Sequence, residues 1–128
     1  MSNEGGLTHY LPRWLLFVTW GVSILWLSLT PSPPMPEAGL LAWDKFQHAA
    51  AFGLLTLLGF YAFVRLSSFK HRLICAAAVS VLFGALVEVA QALFTTARVA
   101  EAGDVVADIV GAVAACAVTV CVMYRHKS

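Results

Sequence analysis

Four long apolar stretches run through this sequence, separated by short polar or proline-rich links. A helix needs about 20 mainly apolar residues to cross ~30 Å of hydrocarbon, because it rises ~1.5 Å per residue. Residues 11–29, 46–64, 73–94 and 105–124 meet that requirement. The expected fold is all-α: an integral membrane four-helix up-down bundle. Short links favour antiparallel neighbours, which makes the up-down arrangement the default. The run Thr30-Pro31-Ser32-Pro33-Pro34-Met35-Pro36 stops the first helix, and Pro12 is expected in its first turn.

Composition agrees. Of 128 residues, 60% are hydrophobic and 12% charged, against about 45–50% and 25% in soluble domains. Such a chain cannot cover a water-facing surface, and the same figures exclude a disordered or nucleic-acid-binding protein. One domain is expected over 11–124, with a short cytoplasmic tail at 1–10 and another at 125–128.

Lys and Arg set the orientation. With the N-terminus in the cytoplasm, the inner side holds Arg13, Arg65, Lys70, Arg72, Arg125 and Lys127, and the outer side holds Lys45 and Arg98. Both termini are therefore expected in the cytoplasm, with the chain in a cell membrane as a multi-pass protein. Tyr10, Trp14, Tyr61 and Tyr124 fall near the inner interface, Trp26 and Trp43 near the outer one. A cleavable signal is the other reading of the first stretch. Its basic n-region is weak, however, and residues 28–34 offer no small-x-small cleavage site. Cys75, Cys116 and Cys121 lie in apolar stretches without a CxxC, and read as small packing residues.

Ionisable side chains inside a bilayer are costly and normally face a bundle interior. Asp44 sits at the mouth of the second helix, with His48 one turn deeper on the same face. Glu88 lies six residues before Phe94, roughly 9 Å deep, and Gln91 shares its face. Asp104 is placed to cap the fourth helix, and Asp108 lies one turn further in. His48, Glu88, Gln91 and Asp108 thus share the outer third of the bilayer as a polar pocket, with Asp44, Lys45, Arg98 and Asp104 as its rim. Small residues flank them: Ala49 and Gly53; Ala76, Ser80 and Gly84; Ala107, Gly111 and Ala115. Such rows let helices approach closely. The second, third and fourth helices are expected to converge there, leaving the first outside as a support.

Each residue has a plainer reading. Asp44 and Asp104 are ordinary helix caps. Lys45 and Arg98 are interfacial side chains with their heads in water. His48 and Gln91 are hydrogen-bonding links between helices. Glu88 and Asp108 have no such account, and a carboxylate inside the membrane is by default functional.

The run Asp44-Lys45-Phe46-Gln47-His48, then Glu88-x-x-Gln91, Arg98, Asp104, a polar residue at 108 and Gly111, resembles the VanZ-like family of small bacterial membrane proteins. The Ser28-Leu29-Thr30-Pro31 exit from the first helix fits the same pattern. The resemblance covers residues 20–115. It departs at Asp108, where the family more often has Asn, and the extra carboxylate makes this site more acidic. It implies a four-helix protein of the bacterial inner membrane, with a link to the cell envelope through the founding member's low-level teicoplanin resistance.

Three functions compete. The pocket could bind the head group of a membrane lipid or lipid-linked envelope precursor, with Lys45, Arg98 and two helix N-termini meeting phosphate. Against this, the carboxylates Asp44, Glu88, Asp104 and Asp108 outnumber those bases. The chain could instead be an intramembrane enzyme, using His48, Glu88 and Asp108 as divalent-metal ligands or as an acid/base set. No cofactor other than such a metal is implied. A small proton or ion carrier is the third reading, although the inner half lacks a matching polar path and four helices leave little room without a homodimer. No nucleic-acid partner is expected, and the head-group binder is the favoured reading.

Overall fold

The computed structural model describes residues 4–31, 39, 43–66 and 68–126. Among them there are four helices and no strand: α1 (Glu4–Leu29), α2 (Asp44–Ala62), α3 (Phe69–Phe94) and α4 (Ala102–Arg125). Three are long and apolar enough to cross a membrane, namely α3, α4 and the His9–Leu29 part of α1. The second apolar stretch, 46–64, falls short of the others. α2 has 19 residues, and Asp44, Lys45, Gln47 and His48 crowd its start.

Helix limits differ from those read in the sequence. α1 starts at Glu4, so residues 4–10 are helical and Pro12 lies inside the helix rather than in its first turn. A proline φ near −65° suits a helix, and the cost is one missing backbone N–H. The Thr30 N–H and hydroxyl both donate to the Trp26 carbonyl, closing α1. The rest of the proline run, 32–36, lies outside the described residues, as do 1–3 and 127–128 of the two tails.

The chain runs up and down. Trp14, in the first half of α1, packs on Phe63 just past the end of α2, with ring centroids 5.3 Å apart. At the same end, Arg72 near the start of α3 donates to the Phe60 carbonyl from Nε at 3.2 Å and Nη2 at 2.9 Å. Its guanidinium lies 4.1 Å from the Phe60 ring centroid. Arg72 thus satisfies a carbonyl of the last turn of α2, where helical partners run out. At the opposite end Lys45 of α2 meets Glu101 and Asp104 of α4.

Among the described residues, α2 and α3 each touch all three other helices, whereas α1 contacts only α2 and α3. This matches the expected supporting place of α1. The apolar core is Ile24, Phe52, Leu55 and Val87. α2 and α4 meet through glycine, since a Cβ on Gly53 would lie 3.1 Å from the Gly111 carbonyl oxygen. Close backbone approach of this kind is how helices associate where water supplies no hydrophobic drive.

Beside this apolar core the interior holds many polar side chains, while large apolar ones face outward. Ser80, Glu88, Gln91, Asp104, Asp108 and Thr119 are buried, while Val22, Leu82, Leu86, Val110 and Val113 are more than half exposed. An apolar exterior around a polar interior is stable in lipid and unstable in water.

Candidate functional site

The site forms where the first turns of α2 and α4 lie side by side. Asp44, Lys45 and His48 occupy one side, and Glu101, Asp104 and Asp108 the other. The i+4 spacing from Asp44 to His48 and from Asp104 to Asp108 puts each pair on one face.

His48 Nδ1 stands 2.9 Å from Asp108 Oδ1. Both side chains are buried. An ionised Asp108 only accepts, so Nδ1 donates to it, and in the neutral ring Nε2 presents the lone pair. Nε2 faces Asp104 Oδ2 at 3.7 Å, beyond hydrogen-bond length. The ring is parallel to that of Phe52, one turn deeper. Ligand atoms of Asp44, His48 and Asp104 lie within 4.8 Å of one another. This is the one such cluster of three among the described residues, and it differs from the set read in the sequence. Asp108 stands behind His48, and Glu88 does not belong to the cluster.

Lys45 bridges the helices. Its ammonium donates to Asp104 Oδ1 and, at 2.8 Å, to Glu101 Oε2. These hydrogen bonds, Asp104 first, hold its pKa above the ordinary lysine range. Asp44 is held more loosely, 3.6 Å from Lys45 Nζ and 3.7 Å from Arg98 Nη2.

Asp104 does not cap α4. The N-cap is Glu101, and its side chain makes no capping bond. Lys45 draws the Asp104 carboxylate across to α2 instead. Trp43 likewise precedes α2 without a capping bond, and Asp44 lies inside the first turn.

Glu88 and Gln91, on one face of α3, turn to different partners. Glu88 Oε2 accepts the Glu101 backbone N–H at 3.0 Å. Gln91 Nε2 donates to the Ser28 carbonyl of α1 at 3.0 Å. One oxygen on each side chain, and also Asp108 Oδ2 and Ser80 Oγ, is buried with no hydrogen-bond partner. Asp108 Oδ2 lies against Gly84, where a Cβ would overlap it. Gly84 is thus the α3 residue that Asp108 packs against.

A groove of about 390 Å³ opens between α1 and α2. Asp44, His48, Arg98 and Ser28 line one end; Trp20, Ile24, Phe52 and Leu54 line the rest. Glu88, Gln91 and Asp108 do not line it. From Ser28 to Trp20 is eight helical residues, about 12 Å, close to the depth of one leaflet. Trp20 Nε1 donates to the Ala51 carbonyl at 2.9 Å and ties the two walls together.

His48, Asp108, Asp44, Lys45, Arg98 and Asp104 are thus gathered as a set, while Glu88 and Gln91 brace its neighbours. Glu101, Trp20 and Ser28 were missed from sequence. Glu101 carried a signal, being a third charge beside Arg98 and Asp104, but Ser28 acts through a backbone oxygen, which no side chain announces. No protein-family model, curated protein or solved structure matches this chain.

Proposed function

We propose that this is a four-span membrane protein with both termini in the cytoplasm, which holds the head group of a lipid or lipid-linked envelope precursor at the α1–α2 groove. The observation that carries this reading is the groove's division into a charged mouth and an apolar trough about one leaflet deep. Its volume falls within the usual range of small-molecule clefts, roughly 300–1,000 Å³. A head-group phosphate suits Arg98, and sugar or glycerol hydroxyls suit Asp44 and His48. One acyl chain suits the wall of Trp20, Ile24 and Leu54. The distribution of Lys and Arg supports the orientation, and α2 becomes the fourth span once its polar first turn is set at the interface.

The VanZ-like resemblance supports a place in the bacterial inner membrane and a part in envelope chemistry. On that reading, expression in a drug-sensitive bacterium raises tolerance to teicoplanin-type glycopeptides.

Native mass spectrometry of the protein released from mild detergent tests lipid binding. Wild type should retain a lipid, and Ala50→Trp, which fills the groove from its lining, should lose it. A wild type without lipid, or equal retention by Ala50→Trp, overturns the proposal.

A further inference from the structure

We propose that Asp44, His48 and Asp104 form a divalent-metal site, with Asp108 orienting the imidazole from behind. Three observations converge. The ligand atoms are already within 4.8 Å of one another. Nδ1 of His48 is committed to Asp108 at 2.9 Å, so Nε2, the nitrogen that faces Asp104, is the one the neutral ring would offer a metal. A metal-bound histidine commonly has this partner, a carboxylate on its other ring nitrogen that fixes tautomer and orientation. Asp104 divides its oxygens in the same sense: Lys45 takes Oδ1, and Oδ2 turns to His48.

Charge favours a cation. Asp44, Asp104, Asp108, Glu101 and Glu88 surround the site, with Lys45 and Arg98 in opposition. The contacts of Asp44 to both bases exceed hydrogen-bond length, so its carboxylate is available. His48 lines the groove mouth, and its Nε2 faces Asp104 Oδ2 at 3.7 Å, beyond hydrogen-bond length, which leaves room for an ion between them.

One imidazole nitrogen and two carboxylate oxygens suit zinc or manganese better than calcium or magnesium. Three protein ligands leave a coordination position, as in catalytic rather than structural sites. Asp44 and His48 also line the groove mouth, so that position lies where a head-group phosphate or hydroxyl would arrive. The metal site does not depend on lipid binding, and its test contains no lipid of the groove.

The test uses the full chain in detergent micelles, stripped with chelator and titrated separately with Zn²⁺ and Mn²⁺ by calorimetry. Expected is one equivalent per chain. His48→Gln should abolish binding, and Asp108→Asn should weaken it about 10–100-fold, the usual cost of losing an outer-shell partner. Lys45→Met should tighten binding by removing a neighbouring positive charge, a result no purely structural role of Lys45 gives. In case variants misfold, imidazole ¹⁵N spectra of the wild type with Zn²⁺ decide. Of the four histidines, His48 alone should shift, at Nε2, with Nδ1 still protonated. Absence of saturable binding, binding unchanged in His48→Gln, or a zinc-induced shift confined to other histidines overturns the site.

Discussion

Gly111 on α4 lies against the backbone carbonyl of Ala49 on α2. A Cβ added to Gly111 would stand 2.8 Å from the Ala49 carbonyl carbon and would overlap its oxygen. Neither group can rotate away, because both belong to helix backbones. Gly111→Ala should therefore force α2 and α4 apart, at a cost of about 1–3 kcal/mol or more. Gly103→Ala is the matched control: its Cβ would meet Lys45 Cε at 3.2 Å, the far part of a flexible side chain. Thermal unfolding in detergent should show a clear loss for the first and little change for the second. Equal midpoints would mean that the two backbones are not in contact.

The His48–Asp108 pair should appear as coupling in a double-mutant cycle. Asp108→Ala alone strands a buried imidazole N–H, a loss of about 1–3 kcal/mol. The coupling free energy itself should be about 0.6–1.7 kcal/mol, the range for hydrogen bonds between membrane helices. It is read from unfolding midpoints of wild type, His48→Ala, Asp108→Ala and the double variant. Strict additivity would show that the side chains do not interact.

Glu88→Gln and Glu88→Ala should differ. The Gln amide oxygen can still accept the Glu101 N–H that Glu88 Oε2 accepts at 3.0 Å, so Glu88→Gln should keep near-wild-type stability. Glu88→Ala leaves that N–H without a partner and should lose about 1–3 kcal/mol. In a teicoplanin-susceptibility assay at matched membrane levels, the first should retain function and the second should lose it. If Glu88→Ala matches wild type in both measurements, this carboxylate does not brace the α4 N-terminus.

Both termini should be cytoplasmic. Single cysteines at Ser2 and Ser128, in a variant lacking Cys75, Cys116 and Cys121, should resist an impermeant thiol reagent in intact cells and react after lysis. Labelling of either from outside rejects the orientation, and with it the outer-leaflet position of the groove.

Much of this arrangement was legible in residue spacing. Ala76, Ser80 and Gly84 read as one close-packing row, and all are buried. His48 and Asp108 read as equally deep on converging helices, and they are hydrogen-bonded. Spacing fixes the face a side chain leaves from, but not which neighbour it reaches. Gln91 and Glu88 therefore shared a face in the sequence while turning to α1 and to the Glu101 backbone. Asp104 carried every local sign of a cap, and a lysine 59 residues earlier takes its carboxylate instead. Long-range competition of this kind leaves no local trace. α1 extends beyond its apolar core because residues 4–10 continue the helix without adding to hydropathy.

The hydrogen bonds fastening α1 to the bundle lie at opposite ends of the groove: Trp20 to Ala51 at its deep end, Gln91 to Ser28 at its mouth. Both donors would be stranded in hydrocarbon if α1 moved outward, with no water to replace the lost partner. The trough is thereby pinned at a set width, like a slot between two rivets. If the groove holds a lipid as proposed, a single flexible chain fits between the two bonds more readily than a fused-ring or branched tail, and the pins would act on girth before any head group is read.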